Sequence, residues 1–232
     1  MTIREQEKAL FQEWKREKGY DRFIQDGVFD EDTWMAQEPK ITFVLKDADW
    51  PDGDDDLRRN LIRKPHPQNW KTWNNVARWT KALLEGGEYP GYISRETRIA
   101  YLKMVSFLNL KKTGGGSRND AGALWKAASE DAAFIRRQLL LYRPDIIICG
   151  GRDTTAKFLE EEVLQGPGSM LPVRERRRIN GVPCCFIHFP GKDRLTPVVG
   201  FRHPQGYGGH REWKLWYEQM REIGEALLPP GR

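Results

Sequence analysis

A chain of 232 residues with 39% hydrophobic and 31% charged content is long enough to bury one sizeable core, and reads as a single soluble domain over residues 1–232. No apolar run approaches the ~20 residues of a membrane span, the start has no apolar signal core, and three cysteines cannot form a four-thiolate cluster, which predicts a cytoplasmic protein with buried strand thiols. The formal net charge of +5 leans toward a polyanionic partner.

The opening MTIREQEKALFQEWKREKGY has helical spacing, and residues 1–40 are expected to form a helical segment packed on the rest of the domain. Ile41-Thr-Phe-Val-Leu45 is the first of four short apolar runs that read as buried strands, and Lys46-Asp47-Ala48-Asp49-Trp50 follows it. The acids of Asp52 to Asp56 depart from a calcium loop because Pro51 falls where a ligand should be, and His66 reads as a loop residue. Trp73, Val76, Thr80 and Leu83 share one helix face. The second run, Met104 to Leu108, is followed by Asn109 and by Lys111-Lys-Thr-Gly-Gly-Gly-Ser-Arg118. Ser129, ahead of Glu130 and Asp131, marks a helix start, with Pro144 closing that helix. Gly150-Gly-Arg152 follows the third run, Asp145 to Cys149. The fourth run is Cys184 to Phe189, with His188 expected in the core. Beyond it, past Val198-Val199, comes GFRHPQGYGGH, from Gly200 to His210, and then a helix with Trp213, Trp216, Met220 and Ile223 on one face.

Strands alternating with helices predict the α/β class: a three-layer α/β/α domain around a mostly parallel four-stranded sheet. Ligands of such sheets gather beyond the carboxyl ends of the strands. Asp47, Asn109, Arg152 and His203 are therefore expected to meet in space. Three of them also have a plainer reading. Asp47 could be a turn or cap residue, Asn109 could simply close a strand, and His203 could lie in a surface turn.

FVLKDADW, SFLN and FRHPQGYGG, in that order over residues 41 to 210, resemble the uracil-DNA glycosylase superfamily. The resemblance implies a hydrolase that flips a base out of double-stranded DNA and excises it as a monomer, without cofactor or metal. Asp47 takes the place of the residue that handles the attacking water, Asn109 that of the base reader, and His203 that of the group stabilising the departing base. The chemistry explains the set. Glycosidic cleavage gives the sugar cationic character, which a carboxylate stabilises, and leaves negative charge on the base, which a histidine N–H can hold. Tyr207 is a candidate wedge, and Gly206, Gly208 and Gly209 would let its loop lie close to phosphates. Lys111, Lys112, Arg118 and Arg152 are expected DNA contacts; GGGSR lacks the GK[ST] ending of a nucleotide-binding loop. Arg174-Glu-Arg-Arg-Arg178 is read first as a solvated surface run and second as a DNA contact.

Uracil-specific members place a tyrosine two positions after the aspartate, where it blocks carbon 5 of the pyrimidine. Asp49 stands there, followed by Trp50, so Asp49 and Trp50 are expected to border an open base pocket. The superfamily includes bacterial antiviral-defence enzymes that remove glucosylated hydroxymethylcytosine from phage DNA, and this is the leading reading. A uracil or mismatch repair glycosylase and a non-catalytic DNA-binding relative are the alternatives. The iron-sulfur branches are excluded by the cysteine count.

Overall fold

The computed structural model describes residues 1–47, 56–63, 70–114, 120–206 and 209–228. Helix α1 (Ile3–Lys18) opens with a capping box between Thr2 and Glu5 and ends on Gly19 in the left-handed conformation. Strand β1 (Gly27–Val28) and helix α2 (Glu31–Ala36) precede β2 (Ile41–Asp47), which leads to α3 (Leu57–Arg63), α4 (Trp70–Leu84) and α5 (Arg95–Lys103). Then come β3 (Val105–Lys111), α6 (Ala121–Glu130), α7 (Ala132–Tyr142) and β4 (Ile146–Gly150), followed by π-helical turns at Arg152–Ala156 and Leu159–Leu164. The chain continues through β5 (Val173–Ile179), β6 (Val182–Ile187), β7 (Thr196–Phe201) and α8 (His210–Leu227).

The fold is α/β, but its sheet has seven strands rather than four, in the order β1-β3-β2-β4-β7-β6-β5. The four central strands β3, β2, β4 and β7 are parallel, while β1, β6 and β5 join antiparallel. The fourth apolar run is thus β6, antiparallel to its neighbour, and the fourth parallel strand is Thr196–Phe201. Pro197 and Gly200 argue against a central strand in sequence, yet Pro197 sits ahead of the first residue paired with β4, where its missing N–H costs nothing on that side.

Helices cover both faces. Trp73, Val76 and Trp79 of α4, with Trp216, Met220 and Ile223 of α8, pack over Phe43, Phe107 and Ile148. Leu10 and Trp14 of α1, with Ile135 and Leu139 of α7, pack over Val44, Leu108 and Ile147 on the other face. Residues 1–40 do more than cover the sheet, since β1 pairs with β3 along its edge. The helix start expected at Ser129 lies three residues later: Ser129 is within the last turn of α6, and α7 begins after Asp131. Among the described residues no helix is long and apolar enough to cross a membrane.

Candidate functional site

Parallel pairing brings the carboxyl ends of β3, β2, β4 and β7 to one edge. The register sets Leu45 beside Asn109, Asp47 beside Lys111, and Gly150 beside Phe201. β2 and β7 flank β4, so Asp47 and the residues after Phe201 stand about 10 Å apart across the strand spacing. Asp47 is the last residue of β2; its side chain is 14% exposed and lies 4.0 Å from the Lys46 ammonium.

The turn after β7 is held from several sides. A Cβ on Gly150 would stand 2.9 Å from both Leu45 Cδ2 and Pro204 Cδ, so only glycine lets the proline seat against the end of β4. The Pro204 carbonyl accepts from Asn75 Nδ2 at 2.7 Å, and Asn75 Oδ1 accepts from Arg78 at 3.0 Å. Gly206 donates to the His203 carbonyl at 2.9 Å, and a Cβ there would lie 2.9 Å from the Trp216 ring. Gly150 of β4 and Gly206 of the turn therefore both serve close packing.

His203 Nδ1 accepts the Gln205 backbone N–H at 3.2 Å. A nitrogen that accepts carries no proton, so the neutral ring bears its hydrogen on Nε2, as a donor. Desolvation, helped by the nearby Lys46 charge, pulls the His203 pKa below its ordinary value, although the ring still meets solvent. Both causes favour the neutral form.

One expected contact does not survive this geometry, and a second is narrowed. Lys112 is no phosphate contact: its side chain is fully buried, with Nζ 2.6 Å from Asp26 Oδ2 and 2.9 Å from Gln138 Oε1. Burial lowers its pKa, opposed by Asp26. Asn109 occupies the expected strand end but is 2% exposed, and both its backbone N–H and its Nδ2 donate to Asp26 Oδ2, at 2.6 and 3.0 Å. That carboxylate fixes which end of the amide is which, and any base reading falls to the Oδ1 side. Lys111, half-buried, donates to the Gly114 carbonyl at 3.3 Å. Arg152 is exposed, 3.0 Å from Asp153, and lines a groove of about 350 Å³ with His203, Arg202 and Gln219. Asp49, Trp50, Arg118 and Tyr207, with His66 and Gly208, lie outside the described residues.

His188 is half-buried rather than core, its Nε2 2.8 Å from the Lys192 carbonyl. His210 opens α8 and meets the Tyr89 ring edge-on at 5.2 Å. Among the described residues no group of three or more His, Cys, Asp or Glu side chains could hold a metal ion. Asn75 was not among the expected site residues. The adjacent Asn74-Asn75 pair of α4 is buried, among the apolar positions of an amphipathic helix. No protein-family model matches the chain, and no curated protein matches its sequence.

Asn75→Ala should strand the buried Pro204 carbonyl and cost about 1–3 kcal/mol of stability. Urea unfolding measures this, and a midpoint equal to that of the wild type would mean that the turn is held elsewhere.

Proposed function

We propose that the chain is a DNA glycosylase that extrudes a modified pyrimidine nucleotide and hydrolyses its N-glycosidic bond, leaving an abasic site. One observation carries the reading: a carboxylate, Asp47, and a neutral histidine with a donor Nε2, His203, stand at the same edge of a parallel sheet, with β4 between them. Asp47 orients water and stabilises the cationic sugar, while the His203 N–H holds the negative charge that develops on the leaving base. The four parallel strands, in the order β3-β2-β4-β7, are the part of the three-layer α/β/α fold that the glycosylase resemblance implies. On this reading β1 and the β5–β6 hairpin extend that core. The protein acts as a monomer on double-stranded DNA in the cytoplasm, in antiviral defence, with no cofactor.

The proposed base is a bulky, carbon-5-modified cytosine, glucosylated hydroxymethylcytosine above all. Asp49, in place of a blocking tyrosine, motivates this choice. The test offers the protein DNA carrying uracil, hydroxymethylcytosine or glucosylated hydroxymethylcytosine and counts alkali-labile sites. Breaks confined to the glucosylated DNA are expected. Breaks only at uracil would give the chain to repair, and tight binding without breaks would make it a non-catalytic relative.

A further inference from the structure

The groove beside His203 does not end there. Arg152, Asp153, Pro183 and Gly200 line it and also line a second groove of about 1060 Å³, so the two form one channel. Its floor is sheet: Pro183 and Cys185 of β6, with Val198 and Gly200 of β7. On one side runs the π-helical segment with Lys157, Glu160 and Glu161, and on the other the edge strand β5 with Arg176, Arg177 and Arg178. Pairing of Arg178 with Pro183 and of Arg176 with Cys185 directs these two arginines to the floor side, at residues two apart, which recur every ~7 Å along a strand.

Charge tells what the channel suits. Arg152, Lys157, Arg176 and Arg178 face Asp153, Glu160 and Glu161 in the larger groove, and Arg202 adds a cation in the smaller, while Arg177 turns to the other face, over the Phe186 ring. Two ion pairs cancel locally, Arg152 with Asp153 at 3.0 Å and Arg176 with Glu160 at 2.6 Å, which leaves Lys157, Arg178 and Arg202 against Glu161. The excess is positive and rests on guanidinium forks, which match phosphate oxygens in pairs. An arginine-rich edge strand also discourages sheet-to-sheet aggregation, but that role needs no channel leading to a histidine.

We propose that this channel is the track of a DNA backbone leaving the extruded nucleotide at His203, with Lys157, Arg176 and Arg178 as its phosphate contacts. The inference rests on the glycosylase reading for its starting point, while its test is binding to undamaged DNA. The triple variant Lys157→Ala, Arg176→Ala, Arg178→Ala should weaken binding. It should also flatten the log–log salt dependence by ~0.9 per lost contact on duplex, or ~0.7 on single strands. Fluorescence anisotropy across a salt series reads both, and an unchanged melting midpoint shows the fold intact. Arg178→Glu alone should weaken binding more than Arg178→Ala, which gives a second reading on one exposed side chain.

A triple variant with the wild-type slope and affinity overturns the track, whatever its base release. Absence of salt-dependent DNA binding in the wild type overturns it too. A wild type that binds with the expected slope, loses it in the variant and releases no base supports the track while ending the glycosylase reading.

Discussion

Asp26→Ala should lower the unfolding free energy by about 3–5 kcal/mol, the cost of leaving a buried charge without its partner. Asp26 is fully buried and accepts from Lys112 Nζ at 2.6 and 2.7 Å, from Gln138 Nε2 at 2.8 Å and from the Asn109 amide. Without it the Lys112 ammonium is left with Gln138 and with the rings of Phe11 and Trp14, at 5.5 and 5.1 Å. The loss would spread. Gln138 also donates to Tyr142, Tyr142 to Glu7, and Arg58 links Glu7 to Asp56, so one polar chain ties α1, the end of β3, α7 and α3 together. Lys112→Met alone should cost less, because Gln138 and Asn109 still serve the carboxylate. Asp26→Leu with Lys112→Met should recover the part of the loss that the unpaired ammonium causes, while the Asn109 and Gln138 donors still lack an acceptor. Urea midpoints decide the matter, and a loss under about 1 kcal/mol for Asp26→Ala would show that the pair is dispensable. Lys112→Met should also keep the wild-type salt slope in DNA binding, which separates a structural lysine from a phosphate contact.

The parallel core was legible because strands buried on both faces are written as unbroken apolar runs, as at Ile41–Leu45 and Ile146–Cys149. β7 was hidden by Pro197 and Gly200, and β1 is too short, at two residues, to carry a pattern. β5, Val-Arg-Glu-Arg-Arg-Arg-Ile, is exposed along nearly its whole length as an edge strand and so shows no apolar alternation. Its turn did carry a signal: Asn180-Gly181, both with positive φ, is a two-residue hairpin sequence. For the site, strand-end logic placed Asp47 and His203 at one edge. It could not tell Lys111 from Lys112, because which lysine of a pair turns inward depends on Asp26, 86 residues away. Nor could it foresee Asn75, whose partner is a backbone carbonyl 129 positions on.

His203→Ala should slow base release by roughly 10²–10³, the loss seen when one preorganised donor to a developing anion is removed. Asp47→Asn should slow it by roughly 10²–10⁴, within the range of a general base that handles the attacking water, with DNA binding retained. Acting on one transition state, the two losses need not add. The pH profile assigns the histidine's part. A neutral His203 is the working form, and partial desolvation, with the Lys46 charge, lowers its pKa. Protonation therefore sets in only as pH falls below the ordinary value of 6.5, and the rate should stay level through neutral pH before dropping on the acid side. Lys46→Gln removes one of the two causes and should move that drop upward, toward 6.5. His203→Gln keeps a donor but cannot titrate, so it should retain more activity than the alanine variant and lose the part of the acid limb that Lys46→Gln moves. If Lys46→Gln leaves the limb in place, or His203→Gln still shows that part of it, the titrating group is not His203, and the neutral-histidine mechanism fails even if Asp47 remains essential.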